Sequence, residues 1–332
     1  MYKELLKYMV IGVVAGIASY LFISQKPITI MVAEKTNDQD INISNKYSYN
    51  SVYNSVKNSV VTIKTDKGRG SGVIVTDDGH VVTNEHVIRG ASRVKIISLD
   101  NNVYSAKVVG IDAITDIALL KSNFKGTAIS FSDSSAVKIG DVVLAIGNPF
   151  GVGQTLTKGI ISRTNSGHIT ENPLDEFLQS DAAINPGNSG GAMVNIKGEL
   201  IGINTMNLSL GGGSDGIGLA VPSNLVRDIT QQLIKYGRVV RGYIGMSAYD
   251  TLEGVVISKV LVNGPADKSG ILPNDIILSL DGIKIDNIKQ VVKIVASLEV
   301  DEEIILKFKR QNKVIETVIK VSVMPQTHKS IQ

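Results

Sequence analysis

The 332-residue sequence has no cysteine, few histidines and a formal net charge of only +3. Without cysteine, the chain can form neither disulfides nor thiolate metal sites. Its histidines and carboxylates show no H-x-x-x-H ligand spacing, so we expect no metal and no other cofactor. The small net charge and the lack of a long basic run give no indication of nucleic-acid binding. Any chemistry must therefore come from the side chains themselves.

A glycine-rich stretch, Asn-Pro-Gly-Asn-Ser-Gly-Gly at residues 185–191, is the best candidate for a reactive site. Gly187 lets the backbone approach a substrate carbonyl closely, because it carries no side chain. The N–H groups of Gly187 and Ser189 could then form an oxyanion hole, with Ser189 as the nucleophile. A surface loop is the alternative interpretation of the same residues. Pro186 restricts the loop that must form the hole.

A serine nucleophile needs a base and an orienting acid. His86 is the best candidate for the base, because it follows an apolar strand at a short polar corner. Asp116, at the head of a hydrophobic strand, is the candidate acid, and pairing with His86 would offset the cost of burying its carboxylate. Asp112 is a rival for this role. The chain order His, Asp, Ser matches chymotrypsin-like enzymes and differs from subtilisins.

Three segments resemble the catalytic blocks of the HtrA (Deg) family of serine proteases: residues 83–87, 115–120 and 187–191. This resemblance implies a mainly β fold, with a chymotrypsin-like pair of six-stranded barrels and the site between them. His86 and Asp116 would come from the first barrel and Ser189 from the second. The many short apolar runs separated by Gly, Asn and Asp turns also favour an all-β barrel architecture.

The specificity pocket is expected to accept small or medium apolar side chains. Trypsin-like enzymes carry an aspartate on the pocket floor six residues before the nucleophile, and here that position is Ala183. Alanine offers no countercharge to a buried cation. Asp181 lies two residues too early and is interpreted as structural. We expect Ile203, Asn204 and Thr205 to form one wall of the pocket.

The first thirty residues indicate that the protein is located in the cell envelope. An uncharged run at residues 8–25 would span about 27 Å as a helix, enough for a bilayer core. We expect residues 1–30 to hold an uncleaved, single-pass signal anchor; a cleaved signal peptide is the alternative. Residues 31–50 are interpreted as a polar linker. Tyrosines at the linker's end lie where HtrA proteins build a trimer, so the resemblance implies a homotrimer.

Two domains are expected after the linker. The protease domain should cover residues 51–237, closing with a helix that Ser223 caps and Gly237 ends. By resemblance, a single PDZ domain covers residues 242–325, and a short tail follows at residues 326–332.

The start of the second domain resembles the carboxylate-binding loop of an HtrA PDZ domain. The loop residues are Tyr243, Ile244, Gly245 and Met246. Their N–H groups would receive the C-terminal carboxylate of a peptide that adds to the sheet edge. Apolar residues of a predicted helix could line the pocket for the peptide's side chain: Ile288, Val291, Val292 and Val295.

This domain arrangement resembles the membrane-anchored branch of the family. The resemblance implies a serine endopeptidase held at the inner membrane, with both domains in the periplasm or outside. It would cleave a membrane signalling protein, an anti-sigma factor, in an envelope stress response. C-terminal peptides of misfolded outer-membrane proteins would bind the PDZ domain and activate it. A general periplasmic quality-control protease or chaperone acting on unfolded proteins is the alternative. A non-catalytic scaffold is a further one, against which the set His86, Asp116 and Ser189 argues.

Overall fold

The computed structural model describes residues 48–148, 153–164, 172, 174–208 and 215–325, and the structural statements below concern these residues. The predicted anchor, most of the predicted linker and the tail lie outside them. Among the helices of these residues, none is long and apolar enough to cross a membrane.

The first domain begins with helix α1 (Tyr49–Val56) and a 3₁₀ turn (Lys57–Ser59) and continues into a closed barrel. Its strands, which follow one another around the barrel in the order β1-β2-β3-β6-β5-β4, are β1 (Val60–Thr65), β2 (Arg69–Ile74), β3 (His80–Asn84), β4 (Val94–Ile97), β5 (Val103–Asp112) and β6 (Ile117–Ser122). A one-turn helix, α2 (Glu85–Ile88), follows β3. Branched aliphatic residues such as Ile63, Ile74 and Ile96 are fully buried in this barrel, which suits their preference for strands.

A second closed barrel follows, after a short 3₁₀ turn (Ser134–Ala136). Its strands, in the order β10-β11-β12-β9-β8-β7 around the barrel, are β7 (Val142–Gly147), β8 (Thr155–Arg163), β9 (Leu178–Ser180), β10 (Ala192–Val194), β11 (Leu200–Asn207) and β12 (Gly218–Pro222). The prediction of two six-stranded barrels is confirmed. A separate core cluster joins residues of both barrels, such as Leu119 and Leu144, so the barrels pack directly against each other.

Helix α3 (Ser223–Tyr236) closes this domain and packs Val226, Ile229 and Leu233 into the shared core. Gly237 ends it in the left-handed conformation, at φ 68°, as predicted. The prediction that Ser223 caps the helix is wrong. Pro222 occupies the N-cap position, and the Ser223 hydroxyl instead donates to the Ser132 carbonyl.

The C-terminal domain is a sheet with helices packed on it. Its elements are β13 (Gly242–Tyr243), β14 (Met246–Thr251), β15 (Gly254–Val260), α4 (Pro265–Lys268), β16 (Ile276–Leu280), β17 (Ile283–Lys284), α5 (Ile288–Ser297), β18 (Glu303–Arg310), β19 (Lys313–Lys320) and β20 (Ser322–Val323). The sheet runs β14-β15-β16-β18-β19, while β17 pairs with β16 and β13 with β20. Strand β14 is therefore at an edge of the sheet, next to α5.

Among the residues that the structure describes, two ion pairs join the C-terminal domain and its connecting segment to the two barrels. Arg241, just before β13, donates to both carboxylate oxygens of Asp112 at 2.8 and 2.6 Å. Asp112 is buried at 5% exposure and Arg241 is only 12% exposed, so the pair is well shielded from water. A more exposed pair links Lys293 of α5 to Glu176 at 2.6 Å. The Arg241–Asp112 pair thus fixes the start of the C-terminal domain at the end of β5, close in sequence to Asp116.

Candidate active site

His86 and Asp116 meet where two paired strands end. His86 lies in α2 directly after β3, and Asp116 lies directly before β6; β3 and β6 are antiparallel partners. Asp116 has a φ of 58°, a conformation that non-glycine residues adopt rarely and that concentrates at functional sites. The carbonyl of Asp116 accepts from Glu85 N at 3.1 Å and from Asn84 Nδ2 at 3.0 Å, which hold this backbone in place.

The Asp116 carboxylate is surrounded by hydrogen-bond donors. One oxygen, Oδ2, lies 2.6 Å from His86 Nδ1 and accepts from Thr205 Oγ1 at 2.7 Å. The other oxygen, Oδ1, accepts from His86 N at 2.9 Å. Burial is the largest single influence on the pKa of Asp116 and would raise it. The hydrogen bonds from His86 and Thr205, with the favourable charge of His86, outweigh burial, so the pKa lies below its usual value.

Asp112, the rival acid, is engaged elsewhere. Its carboxylate accepts both hydrogen bonds from Arg241 and a third from the Thr115 hydroxyl at 2.5 Å. The structure therefore places Asp116, rather than Asp112, against His86.

Ser189 lies in the loop between β9 and β10, which internal hydrogen bonds hold in shape. Asn188 N donates to Asn185 O, and Gly191 N donates to Asn188 O, both at 2.9 Å. Gly187 has a φ of 99°, which only glycine adopts readily. Within the described residues, the N–H groups of Gly187 and Ser189 make no hydrogen bond. They have the donor capacity that an oxyanion hole requires.

His86, Asp116 and Ser189 line one cleft of about 700 Å³. Within the described residues, the Ser189 hydroxyl makes no hydrogen bond to His86, a contact that often tightens only when substrate is bound. Apolar residues that the sequence analysis did not single out, Phe177, Ile184 and Met206, line the same cleft.

The predicted pocket wall needs correction. Strand β11 is buried on both faces as far as Thr205. The Ile203 side chain therefore lies in the shared core, and Asn204 donates from Nδ2 to Ala192 O in the interior. Of the three wall residues, Thr205 alone lines the cleft, and its hydroxyl is bonded to Asp116.

Ala183, the predicted floor of the specificity pocket, makes a backbone contact with a neighbouring strand. Ala183 is half-buried, and its carbonyl accepts from the Thr157 hydroxyl at 2.9 Å. Asp181 accepts from Ile160 N at 2.7 Å, which fits its structural interpretation.

The C-terminal domain carries a second, smaller groove of about 120 Å³ between β14 and α5. Three predicted loop residues, Tyr243, Ile244 and Met246, line it, and Gly245 turns the loop with a φ of 77°. The four predicted helix residues also line the groove; the sequence analysis missed Ala248, Ala296 and Met324. The carbonyls of Ile244 and Gly245 accept hydrogen bonds from Ala266 and Leu261, so they are already bound within the domain.

No metal site is formed by histidine, aspartate and glutamate clusters among the residues that the structure describes.

The family model described as a trypsin-like peptidase domain matches residues 70–203, and the PDZ domain model matches residues 242–321. The periplasmic serine endoprotease DegP of Escherichia coli K12 is 43% identical over 259 residues, covering 74% of this chain and 55% of DegP. The serine endoprotease DegS of Salmonella typhimurium is 44% identical over 253 residues, covering 70% of each chain.

Solved structures of proteases are also similar to this chain. An HtrA-type protease AlgW with a decapeptide matches with a TM-score of 0.79 at 34% identity, covering 84% of this chain and 99% of that one. A serine endoprotease from Yersinia pestis matches with a TM-score of 0.73 at 38% identity, covering 84% and 98%. The chain spans about 55% of the length of the DegP relatives that it matches.

Proposed function

Because this chain belongs to the HtrA/Deg family of serine proteases, we propose that it is a serine endopeptidase whose activity is controlled by C-terminal peptides bound to its PDZ domain. The observation that carries this proposal is the cleft that His86, Asp116 and Ser189 line together. Beside it lie the available N–H groups of Gly187 and Ser189. A scaffold without catalytic activity would have no need of this arrangement.

The geometry supports acyl transfer in two steps. Ser189 Oγ attacks the scissile carbonyl, and His86 Nε2 takes its proton. Asp116 holds His86 in the required tautomer and stabilises the imidazolium that forms. The N–H groups of Gly187 and Ser189 stabilise the oxyanion, after which His86 returns the proton to the leaving amine. Water then attacks the acyl-enzyme by the same route and releases the second product.

The PDZ groove supports control by peptides. Strand β14 is an edge of its sheet, so an extended peptide can pair with its free side. The groove beside it is lined by aliphatic residues, which favours an apolar last residue in the peptide. One structural relative, the HtrA-type protease AlgW, was solved with a decapeptide, which supports peptide recognition in this family.

The biological setting is proposed from the resemblance to the DegS type. Residues 8–25 anchor the protein in the inner membrane, with its catalytic and PDZ domains in the periplasm, as a homotrimer. Its substrate is a membrane signalling protein, an anti-sigma factor, and its activators are C-termini of misfolded outer-membrane proteins. Relatives named as periplasmic support the compartment. Membrane fractionation and analytical ultracentrifugation of the full chain test the anchor and the trimer.

A peptide-dependence assay tests the function. Cleavage of an unfolded protein substrate is measured with and without a library of C-terminal peptides, alongside Ser189→Ala. We expect a low rate without peptide, a higher rate with peptides that end in an apolar residue, and no cleavage by Ser189→Ala. Ile288→Glu places a charge at the groove and should abolish activation. Ile283→Glu, at a 54% exposed position of the same domain outside the groove, should leave activation intact.

The alternative function is general quality control, favoured by the similarity to DegP. An enzyme of that kind would degrade the unfolded substrate at full rate without any peptide. That result would reject peptide control and keep the endopeptidase assignment. A wild-type protein without activity under both conditions would reject the endopeptidase assignment itself.

A further inference from the structure

One buried serine outside the predicted triad contacts the nucleophile loop in several ways. Ser71 lies in β2 of the first barrel and is 0% exposed. Its hydroxyl donates to the Gly187 carbonyl at 2.7 Å and accepts from Asn148 N at 2.8 Å. The Ser71 side chain thus joins β2 to the nucleophile loop, which lies between β9 and β10, and to the end of β7.

The backbone of Ser71 holds the other side of the same loop. Ser71 N donates to the Ser189 carbonyl at 2.8 Å. Ser71 O accepts from the Thr83 hydroxyl at 2.6 Å. A Cβ added at Gly190 would lie 2.1 Å from Ser71 O, so only glycine permits this approach. The first barrel therefore forms the support on which the nucleophile loop lies.

The hydroxyl of Ser71 fixes one peptide plane within the loop. The peptide that joins Gly187 to Asn188 is planar, so its carbonyl and its N–H point in opposite directions. The carbonyl is held by Ser71 Oγ, and the N–H is held by Asn185 O at 2.9 Å. The N–H groups of Gly187 and Ser189 belong to the peptides on either side of this plane. Their direction therefore depends on it.

We propose that Ser71 is a positioning residue for the oxyanion hole: its hydroxyl fixes the Gly187–Asn188 peptide so that the two flanking N–H groups converge on the substrate carbonyl. Ser71 is not a catalytic residue, because it acts through the loop and does not line the cleft. Loss of the hydroxyl leaves the Gly187 carbonyl and Asn148 N without partners in a buried place, and the loop then relaxes. This proposal rests on the proposed endopeptidase function.

Ser71→Ala tests it, with Ser122→Ala as a matched control. Ser122 is also a buried strand serine, which donates to the Ser105 carbonyl and accepts from Phe124 N, but it does not line the cleft. Removal of one oxyanion donor costs about 10²–10³-fold in kcat, so displacement of the donors in Ser71→Ala should cost about 10- to 100-fold, with a KM within about threefold. Ser122→Ala should keep the wild-type kcat.

A transition-state analogue separates a positioning role from a general loss of structure. A peptide boronic acid forms a tetrahedral boronate with Ser189 Oγ, and one oxygen on the boron occupies the oxyanion hole. Its inhibition constant should rise in Ser71→Ala by the same factor by which kcat/KM falls. Thermal melting of each variant shows whether the fold persists. Should Ser71→Ala fail to fold, Ser71→Cys keeps a side-chain donor at this position, but a weaker one, and gives the same comparison.

The outcomes distinguish this proposal from the proposed function. An active wild type together with a folded Ser71→Ala whose kcat stays within twofold of wild type overturns the positioning role alone. Equal losses in Ser71→Ala and Ser122→Ala overturn it as well, because the effect would then be one of structure. An inactive wild type instead contradicts the endopeptidase assignment on which the inference rests.

Discussion

Replacement of Asp116 by asparagine tests how the acid acts, because the change keeps the size of the side chain. Every hydrogen-bond partner of this carboxylate is a donor: His86 Nδ1 and Thr205 Oγ1 at Oδ2, and His86 N at Oδ1. Asparagine offers only one oxygen, so its amide nitrogen must face one of these donors. With the nitrogen at the Oδ2 position, His86 must accept at Nδ1 and carry its proton on Nε2. It can then no longer take the proton from Ser189.

The other orientation of the amide does not rescue the enzyme. With the nitrogen at the Oδ1 position, it faces the N–H of His86, and the negative charge that stabilises the imidazolium is still lost. An asparagine in this role lowers kcat about 10⁴-fold in chymotrypsin-like enzymes. At about 1.36 kcal/mol for each factor of ten, this corresponds to about 5.4 kcal/mol of transition-state stabilisation. We expect a loss of that size here, with a folded protein.

Steady-state kinetics on a peptide substrate, with thermal melting of each variant, measure the effect. Asp112→Asn is the matched control, because Asp112 binds Arg241 and Thr115 instead of His86. It should lower the melting temperature while the folded fraction keeps a kcat within tenfold of wild type. A loss of less than tenfold in Asp116→Asn, or an equal loss in Asp112→Asn, would refute the assignment of the acid.

Three further predictions follow from the same structure. A cleavage-site survey should show small or medium apolar residues before the scissile bond, because Ala183 provides no countercharge; sites dominated by Lys or Arg would contradict this. A C-terminally amidated peptide should bind the PDZ groove at least tenfold more weakly than the free acid, because charge-assisted hydrogen bonds are worth about 1.5–3 kcal/mol each. Equal affinities of the two peptides by fluorescence polarisation would show that the carboxylate binds elsewhere. The pKa of Asp116 is lower in the folded state than in the unfolded state, so the ionised carboxylate stabilises the folded protein. This stabilisation is complete above the unfolded-state pKa of about 3.9 and is lost as the pH falls through the folded-state pKa. The difference in unfolding free energy between wild type and Asp116→Asn should therefore shrink from pH 5 towards pH 2, and denaturant titrations that show a constant difference would count against it.

The individual strands and the members of the candidate triad can be predicted from local sequence. Strand patterns, the polar corner at His86 and the glycine-rich loop at Ser189 are each contained in a few neighbouring residues. Two well-packed strands, β3 and β6, then bring His86 and Asp116 together. The two-barrel arrangement was implied by the resemblance of three segments to the HtrA family, because local patterns alone do not specify how strands close into barrels.

The features that were missed depend on contacts between distant parts of the chain. Ser71 and Gly187 are 116 residues apart, and no local pattern indicates that the serine supports the loop. Thr205 was expected to form a pocket wall, yet its hydroxyl binds Asp116, 89 residues away. Ile203 and Asn204 were misplaced because β11 is buried on both faces as far as Thr205, which depends on the packing of distant strands. Ser223 failed as a cap because a tertiary partner, the Ser132 carbonyl, takes its hydroxyl.

Active-site labelling tests the central claim most directly. A peptidyl phosphonate with an apolar residue at the reactive position is incubated with the wild-type protein, and the modified residue is mapped by mass spectrometry. The structure predicts a single adduct on Ser189, formed at a rate that tracks peptidase activity. The adduct should be absent from Ser189→Ala and should form about 10⁴-fold more slowly in Asp116→Asn. An adduct on another residue, or peptide cleavage retained by Ser189→Ala, would contradict the account.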